Sequence, residues 1–508
     1  MTNSLTRYLP FVEQTVAILL KKQSAPLGGK EDGTLFVTMV PTPSRAWTSV
    51  GIWDKDHYEL YDIRAVELQE NATLVDFDAW PLLKQLALLT GNPDFGRMVE
   101  EMKAAFARHG FDAKSGLIFD GQMSKFDVVK MDVTGSVLSD TPHFKPIAGL
   151  PWDELWAAAP GQMARFCKAT YFGLITRPTS MDFNRYVPYG FDDSERRHVQ
   201  PFNPRHVGFV YTAAMMIHYW VMDYIHTLNA EALGWAQQMA EKWVQLQHPQ
   251  TGLLPHFIGA IVPDDPQQSP VPYANTWDAQ VAIMFLETAD LLGERDATAG
   301  LRKHLRDLGL KSLRGIAKHG YDPDRKIFPE WLKLEGGKYT NETFYAFRSP
   351  AEKAAALQRD PKVHKVGVFP GVSFYNAAAF SWMTRGSIPC DIAQGAKMTG
   401  DAFLTERAAD LAVEIMKAAR SRTGALNAEG QWCFTATTDY IRCLLALRQT
   451  TGNRMYLNWA RELADMEIRF LSKSPVSDAA KTKTPDWWRL PGRSRFLNTL
   501  LDLDNAGK

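Results

Sequence analysis

Between Asp182 and His206 the sequence gathers side chains that can hold an anion and move protons: Asn184, Arg185, Tyr186, Tyr189, Arg196, Arg197, His198, Arg205 and His206. The Arg185 guanidinium is a fork of donors that fits a carboxylate bidentately, and its pKa above about 12 makes it a poor base unless strongly perturbed. Tyr186 or Tyr189, near about 10 when unperturbed, becomes the better proton carrier once cations lower it. His198 and His206 are catalytic candidates because histidine titrates closest to neutrality. Asn184 adds a neutral donor and Arg197 and Arg205 add charge, although a solvated basic loop is the plainer reading of Arg196 to His198. Trp277 and Trp331 offer faces on which sugar rings stack. Asp278, Glu330, Asp391 and Asp439 are the carboxylates from which a glycoside hydrolase would draw its acid and base. Asp278 also reads as a first-turn acid favoured by a helix dipole.

These residues need a scaffold, and the chain spells one out by repetition. LALLTGNPDFGRMVEEMKAAF, AKMTGDAFLTERAADLAVEIMKAA and LRQTTGNRMYLNWARELADMEIRFL each turn a helix at Thr-Gly followed by Asn or Asp. Glycine accepts the left-handed C-cap, and the Asn or Asp begins capping the next helix. HTLNAEALG is a corner without glycine. Beyond the corners, Leu404, Ala408, Leu411, Ala412, Ile415 and Met416 recur at the helical period. A polar turn and a short apolar run then follow, as in FDAKSGLIFDG, HPQTGLLPHF, YDPDRKIFPEW and SRTGALNAEGQW. About six or seven such units fit the chain. Aromatic and polar residues recur on these loops (Phe119, Asp120, His256, Phe257, Glu330, Trp331, Trp432), as they do when hairpins crowd around one cleft. The expectation is an all-α closed (α/α) barrel with short β hairpins, built as one catalytic domain over residues 1–508.

Composition narrows the partners. Lys plus Arg and Asp plus Glu each number 57, so no net field favours a nucleic-acid polyanion or an acidic membrane. No stretch approaches the run of about 18 apolar residues that a spanning helix needs, and no clear export signal opens the chain. The four cysteines form no CxxC pair. These features point to a cytoplasmic protein with no obligatory protein partner.

MARFCKATYFGLITRPTSMDFNRYVPYG, LGWAQQMAEKWVQLQHPQTGL and the closing PDWWRLPGRSRFLNTLLDLD resemble the family 2 polysaccharide lyases, α/α-barrel pectate lyases that cleave by β-elimination. The resemblance implies an arginine base, matched here by Arg185, and a divalent metal held by two histidines and a glutamate. At the corresponding positions this chain has Tyr186, Gln122 and Phe144 after His143, so the metal ligands are not matched and no metal ligand is assigned. A uronate oligosaccharide is the implied substrate. Arg185 either removes the proton or clamps the carboxylate while Tyr186 or Tyr189 handles protons. The rivals are a glycoside hydrolase, a sugar epimerase using a base at a sugar carbon, and a non-catalytic helical-repeat scaffold.

Overall fold

The computed structural model describes residues 6–26, 34–36, 72–73, 77–119, 124–127, 132–135, 142–147, 149–192, 196–201, 208–258, 273–321, 323, 328, 331–336, 388–420, 434–473 and 493–506. Its helices are α1 (Leu9–Gln23), α2 (Ala79–Thr90), α3 (Pro93–His109), α4 (Trp152–Ala158), α5 (Pro160–Leu174), α6 (Val210–Thr227), α7 (Ala230–Leu246), α8 (Ala279–Leu292), α9 (Ala299–His319), α10 (Ile388–Thr399), α11 (Ala402–Arg420), α12 (Phe434–Thr451), α13 (Arg454–Lys473) and α14 (Arg493–Asn505). Between them run two- and three-stranded antiparallel pieces of sheet.

The corners form as the sequence dictates. Gly91, Gly400 and Gly452 all adopt positive φ, between 67° and 71°. The side chains of Asn92, Asp401 and Asn453 then accept the N–H of Asp94, Leu404 and Met455 at 3.0, 3.0 and 2.9 Å. The threonines have their own part: each hydroxyl donates to the carbonyl four residues back and accepts the N–H two residues on, at Thr90, Thr227, Thr399 and Thr451. The glycine-free corner keeps the threonine and the asparagine, and Leu228 takes the left-handed conformation at φ 59°. Its side chain is 71% exposed, so it gains little from burial.

Each corner joins the C-terminus of a ring helix to an outer helix that returns antiparallel. Ring helices therefore run the same way, with corners at one end and their N-termini at the other. Packing contacts trace a closed path from α2 to α14, α12, α10, α8, α6 and α5, and back through α4 and α3 to α2. Outer helices such as α7 and α9 bury one face, whereas α6 and α8 are buried over most of their surface. Trp220, Tyr219, Tyr211 and Phe285 are among the largest fully enclosed side chains, each contributing roughly 2 to 3 kcal/mol of apolar burial. The expected all-helical toroid is thus present, and its ends meet: Asp504 accepts the backbone N–H groups of Arg7, Tyr8 and Leu9 at 3.0, 2.9 and 3.1 Å.

Replacing Leu228 with glycine should stabilise the protein by about 0.5 to 1 kcal/mol, because a Cβ is disfavoured in the left-handed region. Urea unfolding tests this; a midpoint that falls would show that Leu228 contributes through contacts instead.

Candidate active site

The segment carrying Arg185 is held by short ladders. Ile175–Arg177 pairs with Asp182–Phe183 across a turn in which Met181 takes φ 50°, and the Asn184 N–H donates to the Leu174 carbonyl at 2.9 Å. Val187–Pro188 pairs with His143–Phe144, a register that brings Lys145 opposite Tyr186. Gly208–Phe209 pairs with Phe257–Ile258, and the Val210 N–H donates to the His256 carbonyl at 3.0 Å. Tyr273–Asn275 pairs with Trp331–Lys333 immediately before Asp278 and α8. The N-terminal mouth of the ring thereby collects groups from five stretches of sequence.

At its centre is a buried dyad, in which His256 Nδ1 lies 2.9 and 3.0 Å from the two carboxylate oxygens of Asp278. A carboxylate only accepts, so Nδ1 carries the proton and Nε2 is the basic nitrogen. Asp278 occupies the N-cap position of α8 without a capping bond to it; its oxygens face His256 and the Asn275 N–H instead. Asp278 thus stands at the positive end of the helix dipole while its carboxylate is engaged by His256. The His256 ring packs edge to face on Phe209 at 5.0 Å. Arg185 lies over both Phe209 and Tyr186, its guanidinium carbon 5.0 and 4.6 Å from the ring centroids. Lys145 Nζ is 5.9 Å from the Tyr186 ring and 5.8 Å from that of Tyr211.

Electrostatics changes the expected roles. Lys145 retains some exposed surface, but burial of its ammonium, with repulsion from Arg185, lowers its pKa to about 7. Burial raises the Tyr186 phenol even though Arg185 pulls it down, and burial raises Tyr211 too. The expectation that cations would turn Tyr186 into a proton carrier is corrected: desolvation outweighs the guanidinium. Asp182 pairs with Lys242 at 2.7 Å and not with Arg185.

The remaining predicted residues disperse. Asn184 is buried and donates to Gln200 at 2.6 Å, and Gln200 braces the Gly173 and Tyr186 carbonyls. The Tyr189 hydroxyl donates to the Ile118 carbonyl at 2.9 Å. His198 donates from Nδ1 to the Ile175 carbonyl at 2.7 Å and packs on Tyr171 and Phe172, and burial lowers its pKa. Arg196 Nη2 donates to both carboxylate oxygens of Glu231 at 2.7 and 2.8 Å, and Arg197 is exposed. Arg205, His206, Gln122, Glu330 and the side chains of Trp277 and Trp331 lie outside the described residues. Sequence reading overlooked Lys145 and Tyr211; the alternation Gly208-Phe209-Val210-Tyr211 entering a helix, and the lysine after His143-Phe144, were the available signals.

A second grouping sits further round the mouth. Asp439 pairs with Arg495 at 2.8 Å, both almost wholly buried. The buried Asp391 carboxyl is pushed well up by desolvation, then by Asp439, with Arg495 opposing. Two of the carboxylates anticipated for a hydrolase thus influence each other directly. Among the described residues no three of His, Cys, Asp and Glu come together to hold a metal. Phe144 is a core residue against Phe166, so the donor set implied for a divalent metal does not fit this site.

No family model matches the chain, and no curated protein matches it. Among solved structures it is similar to cellobiose 2-epimerase from Bacillus thermoamylovorans, at 12% identity and a TM-score of 0.44 over 79% of this chain and 95% of that one. It is also similar to D-mannose isomerase, at 9% identity and 0.44 over 100% of each chain. A cold-adapted family 8 xylanase aligns at 9% identity and 0.39, over 100% of this chain and 92% of that one. These similar structures are a sugar epimerase, an isomerase and a xylanase. The lyase resemblance is therefore corrected, and the expectation of uronate β-elimination falls with it. No helix among the described residues is long and apolar enough to cross a membrane.

Since the folded pKa of Lys145 lies below the unfolded value of about 10.4, the unfolded chain binds more protons between about 7 and 10.4. The contribution of Lys145 to stability accordingly rises with pH across that window. After reductive methylation with a carbon-13 label, NMR should show one amine titrating near about 7 that is missing in Lys145→Met. Finding every lysine amine above about 9, with only the α-amine titrating near about 8, would refute the placement.

Proposed function

We propose that the chain is a carbohydrate-active enzyme that shifts a proton at the carbon next to a reducing sugar's carbonyl, as an aldose–ketose isomerase or 2-epimerase does. The observation that carries this is the buried hydrogen bond from His256 Nδ1 to Asp278, with Arg185 over the Phe209 ring that packs on His256 and Lys145 beside Tyr186. Proton removal next to a carbonyl needs an oriented base and a donor at the oxygen that gains charge. Asp278 holds the His256 tautomer whose Nε2 takes the C2 proton, and the C–H electron pair moves toward the carbonyl oxygen to give an enediolate. Arg185 stays protonated and offers charge to that oxygen. Lys145, with a pKa of about 7, can give or take a proton at working pH. Returning the proton to C2 after the bound enediolate has turned its other face to His256 gives the epimer, and returning it to C1 while the O2 proton passes to O1 through Lys145 gives the ketose, with no further reactant. Phe209 and Phe257 supply apolar walls.

A second reading, glycoside hydrolysis, is favoured by Asp391 and Asp439. Burial and Asp439 push the Asp391 carboxyl up, the direction an acid needs, and Asp439 pairs with Arg495 at 2.8 Å.

Cellobiose and D-mannose in deuterated water distinguish the readings, with xylo-oligosaccharides as hydrolysis substrates. Deuterium entering at C2, with His256→Gln and Asp278→Asn slowed about a hundred- to ten-thousandfold, supports proton transfer at the dyad. New reducing ends, lost in Asp391→Asn and Asp439→Asn while His256→Gln retains activity, would replace it with hydrolysis. Neither product from either class would overturn both.

A further inference from the structure

We infer that a basic cavity on the outer wall, between the C-terminal half of α9, the turn at Gly252 and Phe403 of α11, is a binding site for a compact polyanion of the organic phosphate class. The cavity is about 440 Å3, and Lys311, Arg314, Lys318 and His319 line it without any carboxylate among its lining residues. Lys311, Arg314 and Lys318 fall on one face of α9, and Lys311 and Lys318 are about 10 Å apart along the axis. That spacing suits a ligand with more than one anionic oxygen group. Phe403 lies 5.8 Å from the Arg314 guanidinium carbon and adds an apolar face.

Charge pairing is what separates this cavity from an ordinary polar surface. Among the described residues Lys311, Lys318 and His319 have no ion-pair partner, and Arg314 pairs with Asp401 at 3.6 Å. Burial and the neighbouring Lys318 both lower the His319 pKa, as uncompensated positive charge would. The same helix supplies an internal comparison. The cavity at its N-terminal half, about 620 Å3, is also rich in arginine and lysine. There Arg302, Lys303 and Arg306 face Glu294, Asp307 and Asp290 at 3.9, 3.0 and 2.8 Å. In one cavity every named cation has an ion-pair partner, and in the other the two lysines have none among the described residues.

The opposite wall is preformed. Gly252 adopts φ +73° with its backbone against the Lys311 carbonyl, where an added Cβ would come within 2.5 Å. The Gly252 N–H is bonded to the His248 carbonyl, and the Thr251 hydroxyl donates to the Leu334 carbonyl at 2.6 Å. With these groups committed, the charged side chains are what meets a ligand. The site is independent of the chemistry proposed for the mouth.

Isothermal titration of the full chain with inorganic pyrophosphate, at ionic strength held constant with sodium chloride, tests the inference. Saturable one-to-one binding is expected, weakened at least about tenfold by Lys311→Glu and again by Lys318→Glu, since each removes a charge-assisted hydrogen bond. Both lysines are exposed, and circular dichroism will confirm that the variants fold. Arg302→Glu with Lys303→Glu should leave the binding unchanged. No saturable binding to the parent protein, or equal losses from both pairs of substitutions, would overturn the assignment.

Discussion

Closure of the helix ring is the constraint on which the rest of the molecule depends. The first N–H groups of a helix have no partner within it, and α1 finds one in Asp504, 497 residues from Arg7 in sequence. α14 then packs on both α1 and α2, so the last ring helix returns to the first. An open end would expose faces of ring helices that are apolar on nearly every side. Closure removes that exposure, while the outer helices that return antiparallel after each corner keep the ring helices pointing the same way.

Parallel ring helices place their positive dipole ends around one mouth. Tyr211, Asp278, Asp391 and Arg495 all stand in the first turn of a ring helix or next to it. The dipoles favour carboxylates there, yet the Asp391 carboxyl is pushed up because desolvation and the nearby Asp439 outweigh them. Burial decides the sign again at Lys145 and Tyr186. The mouth is thus a place where low polarity, more than pairwise charge, sets protonation.

Much of the architecture was legible because it is local. Threonine, glycine and Asn or Asp at the corners specify a hydrogen-bonding pattern within a few residues, and even the Leu228 corner conforms because Thr227 and Asn229 remain. The turns at Gly116 and Gly252 share one geometry, with φ 73° at each. The site was less legible because it is assembled across sequence. Asp278 and His256 are 22 residues apart and read separately as a helix-start acid and a loop histidine. Lys145 comes into the group only through the pairing of His143–Phe144 with Val187–Pro188. The proximity of Arg196, Arg197 and His198 in the chain suggested a cluster, but Arg196 turns at φ 49° toward Glu231 while His198 is drawn to the Ile175 carbonyl. Adjacent charges in a loop separate when each finds its own partner.

Arg185 shows how packing selects among roles that sequence leaves open. The Arg185 guanidinium lies over two aromatic rings, whose faces attract its positive charge. The same arrangement fixes the plane of the fork, which suits holding an oxygen far better than accepting a proton. In the proposed reaction the base is therefore a group whose other proton is already directed elsewhere. His256 is such a group, because Asp278 occupies one ring nitrogen and makes the other the acceptor.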